Sequence, residues 1–457
     1  MPHSITPPDL LTGPTHPGPP NRSGRPSLDG NSSADDNKID TLSTTDASKM
    51  NYPAIPGTSP FTPRALPEDG SIPTALTNPP TPTRAGKNVF AYWHTGIKSM
   101  KPYLLYNILA WYQRYSDLGW NIYVLDRVDG SPLNISHFID LSDPEVVPDV
   151  MREGGTVTGQ YSAQHSSDLV RYPLLLRYGG VYMDVGMLLF GDMDRLWEEH
   201  IVNADSPLDF AGFTMAEGPD AVSIVNFWMM CKPDNPLVER AHRIFVRLWE
   251  GRTSTTGAHA HPLVSHVPLL RVPPNLTQSG VGKGKMDIDD EAMTDYAVQI
   301  QAMGAAQRWV DEEAGWDGPI YVREKCHLLS MIQHAYVNEQ LTGWDSAKQH
   351  RLFLTLIPEQ NTEETKDQRL ARQVVEESVA GSWALKLAHG FSARLFGAPT
   401  LGMLWRDDEG SDCKQGTYGG WLRWATVNLR QDERLERLVI GPFEPTMRGS
   451  LDAMLRA

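Results

Sequence analysis

Asp168 and Arg171 stand three residues apart, and Asp184 follows inside the apolar run Val181-Tyr182-Met183-Asp184-Val185. An acid and a base at that spacing share one face of a helix, where the plainest outcome is an ion pair at the surface. Asp184 is the harder case. A carboxylate embedded among apolar residues loses hydration, and a cation, a donor-rich ligand or solvent at a strand end has to compensate it. The paired glycines Gly179 and Gly180 lie before it and Gly186 just after it, so the chain can turn on either side or let a ligand approach the backbone.

The elements that position these groups are readable in part. Ser166 or Ser167 can cap a helix carrying Asp168, Arg171 and Leu175, which Pro173 should shorten or kink and the glycine pair should end. An apolar strand from Val181 to Phe190 then carries Asp184 in its middle. Upstream, from Lys87, Asn-Val-Phe-Ala-Tyr-Trp-His reads as a buried strand. Leu104, Ile108, Trp111 and Tyr115 recur at helical spacing, with Gly119 as a stop, and Trp120 to Asp126 forms a second strand. Strand, helix and strand make a βαβ unit, hence a parallel sheet whose strand ends offer a ligand crevice. No GxGxxG follows the first strand, which argues against a dinucleotide-dependent oxidoreductase.

The 457 residues, 40% hydrophobic and 21% charged, suffice for one large α/β unit. A formal net charge of −15 argues against nucleic acid or an anionic membrane as a partner. Three scattered cysteines, Cys231, Cys326 and Cys413, suggest a reducing compartment, and no signal peptide or membrane-spanning run is visible, so the expected location is cytoplasmic. Residues 1–86 are rich in Pro, Ser and Thr without apolar periodicity and read as a disordered arm, leaving 87–457 as the folded domain with an insertion around 251–300. Three other clusters read as structural. His259, His261 and His266 lie in a Thr/Gly/Pro-rich loop, Gly280 to Ala292 lacks the order of a P-loop or EF-hand, and Asp192-Met193-Asp194 suits a helix cap. The aromatic residues of Thr417 to Trp424 read as packing.

Taken together, Ser167-Asp168, Arg171-Tyr172, Tyr178-Gly179-Gly180, Tyr182 and Asp184 form a pattern that resembles glycosyltransferases with a DXD sugar-binding region. These are the α-mannosyltransferase-like family 32 group and its capsular-polysaccharide-synthesis relatives. Phe90 to Gly96 resembles their first strand, Val222 to Ala241 their segment before a later helix, and Lys386 to Gly390 the surroundings of their late histidine. The resemblance implies a GT-A fold, a Rossmann-like mixed sheet flanked by helices, binding a nucleotide sugar and transferring a hexose, with retention, to a hydroxyl of a small-molecule, lipid or glycan acceptor. It implies Asp184 and Arg171 as catalytic residues and Tyr92, Trp93, Asp168, Tyr172, Gly180, Tyr182 and Asn226 on the donor side. Trp93 and Tyr92 would face the nucleotide base, and Arg171 would present its planar fork to the donor's paired oxygens. It also implies manganese or magnesium held by Asp184, with His389 as a further ligand. The second aspartate of the motif falls at Gly186, which has no ligating side chain. That departure leaves an alternative: a protein of the same fold that binds nucleotide sugars with weak or no turnover.

Overall fold

The computed structural model describes residues 52–152, 154–215, 223–271, 289–359, 361–388 and 390–456. Folded chain begins earlier than the expected boundary at residue 87. Strand β1 (Thr58–Pro60) is followed by Leu76, and Ile55 and Leu76 are only 2% and 1% exposed. Residues 52–86 therefore belong to the folded body. Individual apolar side chains of an extended, proline-rich segment fill grooves of that body without needing a periodic pattern. The rest of the expected arm, residues 1–51, lies outside the described residues.

Strand β2 (Asn88–Tyr92), helix α1 (Pro102–Tyr115) and strand β3 (Asn121–Leu125) form the expected βαβ unit. Pro102 opens α1 where a missing N–H costs nothing, and Leu104, Ile108, Trp111 and Tyr115 are buried as their spacing requires. Helix α2 (Ser162–Tyr178) starts before the expected serine cap: Ser166 Oγ lies inside it and donates to the Ser162 carbonyl. It runs 17 residues straight through Pro173, because burial against the sheet offsets the hydrogen bond that proline removes.

The expected strand from Val181 to Phe190 is two strands. β4 (Gly180–Met183) joins the central sheet, whereas β5 (Met187–Leu189) leaves it, so Asp184 sits in the break between them. Gly180 has φ +94°, and a Cβ there would lie 2.3 Å from the Asn88 carbonyl oxygen, so β4 approaches β2 closely only because this residue is glycine. The chain continues through β6 (Phe210–Thr214), β7 (Ile224–Cys231), α3 (Pro236–Leu248), α4 (Val298–Gln307), β8 (Cys326–Ser330), β9 (Ala384–Lys386), α5 (Tyr418–Asn428) and β10 (Leu429–Gln431).

The central sheet has six strands in the order β8-β6-β7-β4-β2-β3. All pairings are parallel except those of β7, which runs against both neighbours. Alternate residues feed two core layers. Val89, Ala91, Val181 and Met183 face α1 and α5, while Phe90, Tyr92, Tyr123 and Tyr182 face α2, α3 and α4. Off the main sheet, β9 pairs antiparallel with β5, and β10 with β1. This is a mixed α/β sheet flanked by helices, as a GT-A fold requires. Among the described residues no helix is long and apolar enough to cross a membrane.

Candidate functional site

From the central strand β2 the chain passes to β3 on one side and later to β4 on the other, so the crevice outside the C-terminal ends of β2 and β4 is a topological switch point. Trp93 follows β2 and Asp184 follows β4. The Asp184 backbone N–H donates to the Phe227 carbonyl at 2.8 Å, tying the break after β4 to β7. Its side chain is held between two cations: Arg171 Nη2 lies 3.3 Å from Oδ1 and Lys386 Nζ lies 3.0 Å from Oδ2.

Arg171 does more inside the protein than its expected role on the donor allows. Its side chain is 4% exposed, and it donates to the Asn226 carbonyl at 2.7 Å, to Ser167 Oγ at 2.8 Å and to Asp168 Oδ1 at 2.8 Å. The guanidinium also lies 4.8 Å over the Tyr182 ring. A buried fork with its donors used in this way orients Asp184 and leaves little to offer diphosphate oxygens. The Asp168–Arg171 pair is accordingly interior, where a surface ion pair was the plain expectation. Asp168 also accepts from Asn226 Nδ2 at 3.1 Å, and burial pushes its carboxyl up to about 7 against the pull of Arg171. Asn226 Nδ2 reaches Gln299 Oε1 at 2.9 Å, and Gln299 Nε2 returns to the Asp168 carbonyl at 2.6 Å. Asp184, 25% exposed, is the most accessible of the four charged groups in this cluster.

The remaining expected residues divide into two sets. Tyr92 and Trp93 stand at the crevice end of β2, and among the described residues the Tyr92 hydroxyl and Trp93 Nε1 are buried without a hydrogen-bond partner. Burial raises the Tyr92 phenol to about 12, so it stays a donor. Unsatisfied buried donors at a strand end suit a ligand that accepts from them. Tyr172, Tyr182 and Gly180 are structural in their placement. Tyr172 donates to the Gln299 carbonyl and packs its ring edge-on against His242 and Phe245. Tyr182 is buried beneath Arg171, and Gly180 lies against the β2 backbone.

Lys386 and Gln299 belong to the cluster and were missed. Lys386 opens the same Lys-Leu-Ala-His-Gly stretch that pointed to His389, and a lysine at a strand end has no pattern of its own. An aromatic group beside the cluster was missed as well: Tyr296 stacks on Phe391 at 3.9 Å between ring centres, with Tyr161 edge-on to both. Several members of the clusters read as structural have structural partners. Asp192 caps the turn that follows it, and Asp194 pairs with Lys87 at 2.7 Å and accepts from Trp120 Nε1 at 2.8 Å. His259 Nδ1 meets Asp295 Oδ1 at 2.9 Å, and Trp421 and Arg423 are buried. Most of the stretch from Gly280 to Ala292 lies outside the described residues.

The described residues paired with Asp184 are cationic, an arrangement that does not suit the expected divalent metal. Both Asp184 oxygens face cations, and among the described residues no three His, Cys, Asp or Glu side chains gather as a ligand set. At Gly186 a Cβ would lie 2.9 Å from the Leu387 carbonyl oxygen and 3.6 Å from Lys386 Nζ, so the strand beside it occupies the room a second aspartate would need. His389 lies outside the described residues.

The capsular polysaccharide synthesis protein family matches residues 69–256. The chain is 34% identical over 367 residues to the O-glycosyltransferase braB of Annulohypoxylon truncatum, covering 79% of this chain and 84% of that protein. It is 33% identical to the glycosyltransferase afumC of Aspergillus fumigatus, over 79% of this chain and 89% of the relative. With the O-glycosyltransferase PaGT of Phomopsis amygdali it shares 32% identity, over 83% and 91% of the two chains. The chain belongs to the capsular polysaccharide synthesis protein family and is one of its glycosyltransferases.

Proposed function

We propose that this glycosyltransferase moves a hexosyl group from a nucleoside-diphosphate sugar to a hydroxyl oxygen of its acceptor, with retention at the anomeric carbon. The observation that carries the reading is Asp184: a partly exposed carboxylate at the switch point, gripped by Arg171 and Lys386 and tied to β7 through its backbone. Support for a hydroxyl acceptor comes from the names of two relatives, which are O-glycosyltransferases. The retained configuration rests on the family pattern of the central motif.

In this reading the donor's base lies along Trp93, its sugar and ribose hydroxyls donate to Asp184, and the diphosphate lies on the Lys386 side. The bond from the anomeric carbon to the β-phosphate oxygen breaks with its electron pair on that oxygen. The acceptor oxygen forms the new bond, and its proton leaves with the diphosphate or to solvent. Asp184 holds the donor sugar while Arg171 holds Asp184.

A panel of nucleotide sugars, read by released nucleoside diphosphate, tests this directly. Wild-type protein is expected to release one diphosphate on adding acceptor alcohols, and Asp184→Ala to lower that rate by ~10²- to 10³-fold, the scale of a lost transition-state contact. Gly186 in the motif favours one second reading, a donor-binding protein without turnover. Tight donor binding with no release across the panel would establish that reading instead.

A further inference from the structure

We propose that the Lys386 ammonium stands where a divalent cation would stand, and that it neutralises the donor diphosphate directly, so that this glycosyltransferase works without a metal. The inference rests on the reading of Asp184 as the residue facing the donor.

Four observations converge on Lys386. Its Nζ is 3.0 Å from Asp184 Oδ2, the side of the carboxylate that Arg171 leaves open. The same nitrogen lies 3.6 Å from where a Cβ of residue 186 would be, so its charge occupies the neighbourhood of the missing second carboxylate. The backbone fixes that position: Lys386 is opposite Met187 in the β9–β5 ladder, and Leu387 N–H donates to the Gly186 carbonyl at 2.8 Å. Finally, the ammonium lies 5.6 Å from the centre of the Phe227 ring, whose face favours a cation.

The chemistry follows from the charge and its reach. An ammonium has three donors. Asp184 Oδ2 takes one and the Leu387 carbonyl, at 3.3 Å, another, which among the described residues leaves the third for a phosphate oxygen. A lysine binds phosphate as a compact point charge on a flexible stem, so small rotations carry it from the carboxylate to the diphosphate as the donor enters. Arg171 is too buried and too fully engaged to make that move. During transfer, negative charge grows on the departing β-phosphate oxygen, and a fixed cation beside it lowers the barrier as a metal would. Gly186 then follows as a consequence. With a lysine supplying the charge, a second carboxylate would only attract that charge away from the phosphate.

The test is calorimetric titration of the full chain with UDP, GDP and ADP and with the matching nucleosides, in chelator and in manganese, for wild type, Lys386→Gln and Lys386→Arg. Wild type is expected to bind one diphosphate with the same affinity in chelator and in manganese. Lys386→Gln should weaken that diphosphate about 10- to 100-fold while leaving the nucleoside unchanged, and Lys386→Arg should restore most of the loss. Wild-type binding that requires manganese would overturn the proposal and leave the donor reading standing. Unchanged diphosphate affinity in a folded Lys386→Gln would overturn it too. If Lys386→Gln does not fold, wild type in chelator and Lys386→Arg still decide. Absence of any diphosphate binding by wild type, with or without manganese, would remove the donor reading itself and this proposal with it.

Discussion

Asp184 and Arg171 are in contact, yet they answer to different demands, and substitutions should separate them. Asp184→Asn keeps the side chain's shape and leaves Arg171 its pair with Asp168, so it should cost less stability than loss of Arg171 while released diphosphate falls. Arg171→Leu removes a buried cation from Asp168, Asp184, Ser167 and Asn226 at once, and should destabilise by about 3–5 kcal/mol, read by thermal or urea unfolding. Equal unfolding midpoints for the two variants would contradict these assignments. Buried titrating groups elsewhere also tilt the pH response. Burial pushes Glu339 up to about 7, so from about pH 4.5 to 7 the unfolded chain loses this proton first and stability falls as pH rises. Burial pushes His242 down to about 4, so from about pH 6.5 to 4 the unfolded chain gains this proton first and stability falls as pH drops. Glu339→Gln should therefore gain stability relative to wild type at pH 8 over pH 5, by up to about 3 kcal/mol, and His242→Gln should lose less than wild type on acidification. Urea unfolding at both pH values checks the opposite tilts. Asp168, Arg171 and Asp184 were legible in the sequence because helical spacing and an isolated carboxylate are local signals. Lys386 and Gln299 were not, since strand and helix packing bring them from 202 and 115 residues beyond Asp184.

At the scale of elements, the site depends on one strand becoming two. The run from Val181 to Phe190 is apolar throughout apart from Asp184, and hydrophobicity alone cannot tell which partner each half pairs with. The partners are β2 and β7 for one half and β9 for the other, so the chain must bend at Asp184-Val185-Gly186. That bend exposes the carboxylate and brings Lys386 to it. Gly186→Ala probes the arrangement, because a Cβ placed 2.9 Å from the Leu387 carbonyl oxygen forces β9 away from the bend. The variant should be about 1–3 kcal/mol less stable, as overpacked sites are. It should also weaken diphosphate binding, since displacing β9 moves Lys386 from Asp184. A Gly186→Ala protein with wild-type unfolding and wild-type binding would show that β9 is free to move and that the close approach positions nothing. The βαβ unit of β2, α1 and β3 was the most readable part, because each element there carries its own period and α1 its own stop.

The molecule as a whole extends further toward the N-terminus than its composition suggests. Residues 52–86 contain prolines and isolated apolar residues with no period, the pattern of a chain that makes no core of its own. They have no need to make one. Ile55 and Leu76 are buried, Tyr52, Leu66 and Ile72 pack against the core layer that contains α1 and α5, and β1 pairs with β10 through Thr58 and Gln431. Backbone contacts extend the attachment: Phe61 N–H donates to the Asn428 carbonyl at 2.7 Å, and Arg64 N–H to the Gln113 carbonyl at 2.8 Å. Each fully buried leucine or isoleucine contributes about 1.5–3 kcal/mol relative to exposure, and proline lowers the entropy lost on ordering the segment. Deleting residues 1–86 should therefore expose an apolar strip along α1 and α5, lower the melting temperature and promote aggregation. Leu76→Asp in the full chain should destabilise in the same direction without removing any backbone. A deletion variant that melts with the wild type and remains monomeric would mean that this segment lies on the body without stabilising it. A destabilised one would place the N-terminal limit of the folded body before residue 87, with residues 52–86 completing the core layer that contains α1 and α5.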